Sequence, residues 1–184
     1  MSRTQQAVVL LAVQAALVLS IAAKYLYERE VCSRIWVRAA QYDPSAQLRG
    51  RYLALHLALD ACALPRDVAY HTDAIAGSNP HDAGSWRWTV KLVVQGGKLV
   101  PLLASDTDRP ELTNEITLSG DRPCDQATLL DGIEYFVSDA AKTPFPLKKG
   151  EELWVEVTVP PMGPPRPIQL AVSDNGTFIP LSLQ

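Results

Sequence analysis

Residues 152–159 read ELWVEVTV, and every second residue of this stretch is a large aliphatic one. The aliphatic positions are Leu153, Val155, Val157 and Val159, which alternate with Glu152, Trp154, Glu156 and Thr158. Successive side chains of a strand point to opposite faces of a sheet, so the alternation predicts a strand with one face in a core and one at solvent. This stretch favours a β domain.

Other stretches repeat the alternation or carry hairpin signals. Alternating strands are predicted over 51–59 and 86–94, and weaker ones over 35–39, 114–118 and 133–137. Gly96-Gly97 predicts a tight turn into a strand over 98–103, and Asn175-Gly176 predicts a type I′ turn between strands over 168–172 and 177–183. About eight strands without a long helix among them predict an antiparallel β-sandwich or open barrel, and hence a mainly β fold.

Three connecting segments have their own expected conformations. Residues 125–130 are expected to form a short helix, and residues 70–85, with Gly77, Pro80 and Gly84, an exposed loop. The proline-rich segment 160–167 is expected to be a stiff, extended connection between two strands.

The N-terminal segment is far more apolar than the rest. Residues 7–23 read AVVLLAVQAALVLSIAA, without a charge. Residues 7–27 would form a helix of about 30 Å, the thickness of a bilayer core, which predicts a transmembrane helix or signal anchor. A buried core helix and a cleaved signal peptide are the alternatives, the latter because Arg3 precedes the apolar run and the small residues Ser20, Ala22 and Ala23 lie near a possible cleavage site.

These segments divide the chain into four parts. We expect a short tail over 1–6, the membrane helix over 7–27, a juxtamembrane segment with the first strand over 28–41, and one globular β domain over 42–184. The flank downstream of the apolar run carries Lys24, Arg29, Arg34 and Arg38, whereas only Arg3 and the amino group precede the run. Taken alone, the positive-inside rule would therefore keep the domain in the cytoplasm.

Composition and motifs exclude several functions. A net charge of −3 offers no field for a polyphosphate, so no nucleic-acid partner is expected. His71 and His81 lie near Asp73 and Asp82 without a metal-ligand spacing, and we read them as a solvated loop. Neither a phosphate-binding loop nor a nucleophile motif occurs. We therefore expect no enzyme, cofactor or metal, and no small-molecule ligand is identifiable.

The three cysteines allow at most one bridge within the chain. Cys62 and Cys124 are the better pair, because both lie in proline-containing loop sequence away from the membrane, whereas Cys32 closely follows the apolar helix. The alternative is three thiols in a reducing compartment.

Residues from Tyr42 onward read YDPSAQLRGRYLALHL, in which Asp-Pro is followed by Leu48-Arg49-Gly50 and Tyr52. This pattern resembles the signature of the GDYXXLXY family of uncharacterised, membrane-anchored bacterial proteins, although Arg51 stands where the family has Asp and Leu57 where it has Tyr. The segment IEYFVSDAA from Ile133 is similar to a second motif of that family. The resemblance implies a single-pass membrane protein with its domain in the periplasm, and it supplies no catalytic residue.

Two functions remain open. The first is an accessory or binding module for an envelope or integral membrane partner, with contacts from Arg49, Arg51, Tyr52 and His56. The second is a membrane-anchored hydrolase similar to signal peptidases, which requires a serine activated by a lysine base. Lys91 is the formal candidate for that base.

Overall fold

The computed structural model describes residues 2–41, 52–72, 84–136, 147–174 and 176–181. The chain divides into two compact units, of which the first ends at Cys32 and the second begins at Ser33. The globular unit thus begins nine residues earlier than the predicted residue 42, because the strand over 34–41 is an interior strand of its sheet.

The first unit is one helix, α1, Arg3–Val31. Ser2 caps its N-terminus: the Gln5 N–H donates to Ser2 Oγ at 3.3 Å, and the Ser2 N–H donates to Gln5 Oε1 at 2.8 Å. Near its other end, Lys24 and Glu28 form an ion pair across one turn at 3.7 Å. These contacts extend the helix beyond the predicted 7–27. The stretch Thr4–Val31 contains an 18-residue window with a mean hydropathy of 2.2, and it is long and apolar enough to cross a membrane.

The second unit is mainly β, as predicted, and its described strands form one antiparallel sheet that curls into a half-barrel. The strands are β1 Arg34–Gln41, β2 Tyr52–Leu59, β3 Tyr70–Thr72, β4 Ser85–Gln95, β5 Lys98–Leu103, β6 Asn114–Ser119, β7 Ala127–Leu129, β8 Ile133–Phe136, β9 Glu151–Thr158, β10 Arg166–Asp174 and β11 Thr177–Leu181. Their order is β11-β10-β9-β1-β2-β7-β6-β4-β3, with β5 beside β4 and β8 beside β2.

The predicted alternation decides which side chains enter the core. On β2 the four leucines at 53, 55, 57 and 59 are buried, whereas Ala54, His56 and Ala58 between them are partly exposed. On β9, Leu153, Val155 and Val157 are buried in the same way. Burial of these aliphatic side chains supplies the main driving force for folding the sheet.

The glycine turns join neighbouring strands as predicted. Gly96 and Gly97 have φ angles of 57° and 76°, and Gln95 pairs with Lys98 across them. Positive φ at both central residues is the signature of a type I′ turn, which glycine adopts without steric cost. At the second hairpin Asp174 pairs with Thr177, while Asn175 lies outside the described residues.

The three connecting segments differ from their predictions. Residues 125–130 do not form one helix: a 3-10 turn over Cys124–Gln126 is followed by β7, which pairs with both β2 and β6. The predicted loop over 70–85 begins with β3 and ends at the first residue of β4, and its residues 73–83 lie outside the described residues. The proline-rich connection bends at Gly163, with a φ of 86°, where its N–H donates to the Glu111 carbonyl at 3.0 Å.

Candidate functional site

The face of the sheet that points away from the core carries two tryptophans on adjacent strands. On β1 the residues Trp36 and Arg38 alternate with buried aliphatic residues, and on β9 Glu152 and Trp154 do the same. The register places Arg38 opposite Trp154. Directly opposed side chains on one face of an antiparallel pair are in contact range, so the strand pairing assembles aromatic and charged groups on one surface.

Phe178 on β11 holds the two indole rings together. Its ring centroid lies 5.6 Å from that of Trp36 and 5.2 Å from that of Trp154, the latter edge to face. Such geometry is favourable for aromatic pairs. Ala171 and Ser173, which face Trp154 and Phe178 across the strands, are buried although they lie on this outer face. The rings therefore form a small packed cluster over β10.

Glu152 joins the aromatic and charged parts of this surface. One of its oxygens pairs with Arg38 Nη1 at 3.4 Å, and the other accepts the Trp154 Nε1–H at 3.3 Å. Both contacts are long, and Glu152 is 48% exposed. An exposed pair of this kind contributes at most about 1 kcal/mol to stability. The Arg38 guanidinium and the Glu152 carboxylate can therefore exchange this contact for hydrogen bonds to a ligand at a small cost in stability.

Two adjoining pockets lie along this face, and we call them together the tryptophan groove. The first, of 320 Å³, is lined by Trp36, Val37, Arg38, Ala58, Asp60, Lys98, Leu99, Asp125, Glu152 and Trp154. The second, of 230 Å³, is lined by Arg38, Ala39, Ala58, Arg122, Gln126, Thr128, Leu147, Glu151, Glu152 and Leu153. Arg38 on β1, Ala58 on β2 and Glu152 on β9 line both pockets, so the groove is continuous across these three strands and extends to β5 and β7.

A disulfide braces one wall of the groove. The cysteines paired from the sequence, Cys62 and Cys124, are bonded, with their Cα atoms 4.8 Å apart. The Ala61 N–H donates to the Cys124 carbonyl at 2.9 Å, and Asp60 Oδ1 accepts the Cys62 N–H at 2.9 Å. Asp60 and Asp125 line the groove. The bridge therefore fixes the two segments that carry these carboxylates.

Of the contact residues expected from the sequence, His56 is the one whose side chain the structure describes, and it lines neither pocket of the groove. Arg49 and Arg51 lie outside the described residues, and so does the side chain of Tyr52, whose backbone belongs to β2. His56 is half-buried, and its Nδ1 lies 2.7 Å from the Leu129 carbonyl oxygen. A carbonyl only accepts, so Nδ1 donates there. This bond makes His56 a link between β2 and the end of β7.

Lys91, the formal candidate for a catalytic base, already has a partner in the structure. Lys91 is ion-paired with Asp108, whose carboxylate accepts the Ser105 N–H at 2.8 Å. The bond from Lys91, followed by that from Ser105, lowers the pKa of Asp108. A lysine base must be neutral and desolvated, whereas Lys91 is 37% exposed and bonded to a carboxylate. Among the described residues, no three His, Cys, Asp or Glu side chains gather where a metal could bind.

Sequence reasoning placed Trp154 and Glu152 on the solvent side of a strand and did not find the groove. The signal that was available is an outward tryptophan on each of two predicted strands, at 36 and 154. Their proximity depends on the pairing of β1 with β9, which no local pattern encodes. No family model, curated protein or solved structure matches the chain.

Proposed function

We propose that this chain is a membrane-tethered, extracytoplasmic binding module, and that the tryptophan groove is its contact surface for an envelope or integral membrane partner. The observation that carries the proposal is the pair of indole rings held beside the Arg38–Glu152 ion pair at the surface. Tryptophan and arginine are the residues most enriched at the energetic centres of contact surfaces.

The helix α1 supports the membrane tether. Its apolar stretch, Thr4–Val31, has the length and composition of a membrane span, and Tyr25 and Tyr27 suit the interface at its end. Only Cys32 and Ser33 separate α1 from β1. A link this short reaches on the order of 10 Å when extended, which keeps the domain close to the bilayer.

The disulfide supports an extracytoplasmic domain. Bridges such as Cys62–Cys124 form and persist in oxidising compartments, and the cytoplasm keeps thiols reduced. The resemblance to the GDYXXLXY family also supports this side of the membrane. The cationic residues after the helix argue for the opposite orientation. The location therefore has to be measured together with binding.

One experiment in spheroplasts tests both parts of the proposal. The full chain is produced with the photo-reactive residue benzoylphenylalanine at Trp36, in the groove, or at Leu102, which is 41% exposed and does not line the groove. The spheroplasts are irradiated, and protease is then added before or after permeabilisation. We expect cross-linked adducts from position 36 and none from position 102, and we expect digestion of the domain without permeabilisation.

Each half of the result can contradict its part of the proposal. A domain that protease reaches only after permeabilisation would place it in the cytoplasm, in agreement with the positive-inside count. Equal adducts from positions 36 and 102, or none from either, would remove the groove as the contact surface. The photo-reactive ring replaces one aromatic side chain by another at position 36, so the packing against Phe178 is largely kept.

A further inference from the structure

We infer that the ligand of the tryptophan groove is a neutral oligosaccharide built of flat pyranose rings, an inference that rests on the groove's proposed role as a binding surface. A pyranose ring offers two kinds of surface at once: an apolar face of C–H bonds and a rim of hydroxyl groups. The groove offers the complement of each.

The indole rings supply the apolar platform. Trp36 and Trp154 both line the larger pocket, whereas Phe178, which contacts both rings, does not. Each indole is thus held by Phe178 and still presents surface to the groove. The C–H bonds of a sugar carry a slight positive charge, so they pack favourably on the electron-rich face of an aromatic ring. Ala58 lines both pockets, and its small side chain leaves room for a ring to approach the sheet.

The charged residues suit hydroxyl groups better than an ion. Across both pockets the cationic residues are Arg38, Lys98 and Arg122, and the anionic ones are Asp60, Asp125, Glu151 and Glu152. Three positive and four negative charges leave a net of −1, so neither a phosphate nor a strong cation meets a favourable field. Carboxylates accept and guanidinium groups donate, and a sugar hydroxyl can do both. The lining therefore offers a neutral polyol both donors and acceptors of hydrogen bonds.

Composition and size favour a sugar chain over a protein partner. Five of the ten residues that line the larger pocket are charged, whereas the centres of protein interfaces are depleted of charged residues. A volume of 320 Å³ lies at the lower end of small-molecule sites, which run from about 300 to 1,000 Å³. The adjoining 230 Å³ pocket shares Arg38 and Glu152 with it. Two joined pockets of this size suit consecutive rings of a chain.

The test is titration of the purified full chain with defined sugars. The protein is kept in a zwitterionic detergent, because detergents with sugar headgroups would compete. The probes are cellotetraose, the tetramer of N-acetylglucosamine, a sulfated heparin tetrasaccharide, and vesicles containing a glucosyl lipid. Binding is followed by tryptophan fluorescence and calorimetry. The two neutral tetramers report a free polysaccharide, and the vesicles report a glycolipid headgroup.

Three variants make the titration specific to the groove. Trp154→Ala should weaken binding by about tenfold or more, as truncation of an energetically central aromatic residue does. Glu152→Gln keeps the side-chain shape and should weaken binding about fivefold through one weaker hydrogen bond. Trp86→Phe alters a tryptophan that does not line the groove and should bind as the original chain does. Thermal unfolding of each variant shows whether it is folded.

The outcomes separate this inference from the proposed function. Binding of a neutral tetramer or of the glucosyl lipid vesicles, weakened in the Trp154 or Glu152 variant by about the expected factor, supports it. Binding of the sulfated sugar alone, binding that both variants retain, or no binding overturns it. If no sugar binds but position 36 forms protein adducts in spheroplasts, the proposed function stands with a protein partner and the sugar inference is overturned. If no sugar binds and no adducts form, both the proposed function and the sugar inference are overturned. Adducts that glycosidases digest would support the sugar.

Discussion

Removing the Cys62–Cys124 bridge should destabilise the globular unit by several kcal/mol. The perturbation is Cys62→Ser with Cys124→Ser, made in a Cys32→Ser background so that no new pairing can arise. The two cysteines are 62 residues apart in the sequence. For a closed loop of about 60 residues, the chain-entropy relation gives about 14 cal/mol/K, or about 4 kcal/mol at 25 °C. Because reduced chains retain some structure, we expect a measured loss of about 2–4 kcal/mol.

The assay is urea unfolding of the full chain in detergent, followed by tryptophan fluorescence. Cys32→Ser alone is the matched control, and it should unfold as the original chain does. Reduction of the control with dithiothreitol should reproduce the loss seen in the double variant. A loss below about 1 kcal/mol by both routes would refute the reasoning, because a cross-link over so long a loop must restrict the unfolded chain.

Two further predictions concern the hydrophobic core and the loss of stability at acidic pH. Leu57 is fully buried, so Leu57→Ala should lower the free energy of unfolding, measured in urea, by about 2–5 kcal/mol. The control Leu102→Ala, at an exposed position, should lower it by about 0.5 kcal/mol or less. Equal losses would contradict the assignment of the core. The pKa of Asp108 is lowered by Lys91, so the stability from this pair is present above pH 3.8 and is lost as the pH falls through the folded pKa. NMR titration should show the pKa of Asp108 rise in Lys91→Met, and an unchanged value would contradict the ion pair.

The strands that the sequence predicted share one physical cause. A period of two, with aliphatic residues on one side, is imposed wherever one face of a strand is buried, as on β2 and β9. The turn between β4 and β5 could be predicted from its glycine pair, because positive φ at two successive residues is costly for other amino acids. β3 and β7 were missed because three residues are too few to show a period. At β7 the sequence pattern was instead read as a helix.

The candidate site could not be predicted from local sequence patterns, because its residues come from strands that are distant in the sequence. The pattern shows that Trp36 and Trp154 point outward, but it does not say which strands are neighbours. Only the pairing of β1 with β9 brings the indole rings to Phe178, which comes from a third strand. The cysteine pairing was accessible because two candidate partners were left once Cys32 was set apart. Contacts between residues distant in sequence are the part of a fold that a single sequence encodes least directly.

The interior position of β1 governs when the domain can become resistant to proteases during synthesis. β1 is the first strand to be made, yet its residue Arg34 pairs with Thr158, 124 residues later. Until β9 emerges, the long edge of β1 has no partner on that side and is a template for wrong pairings. A chain that stops before residue 151 lacks β9, β10 and β11 and leaves this edge open. The domain must therefore pass through a late, vulnerable interval in which a holding chaperone would raise its yield.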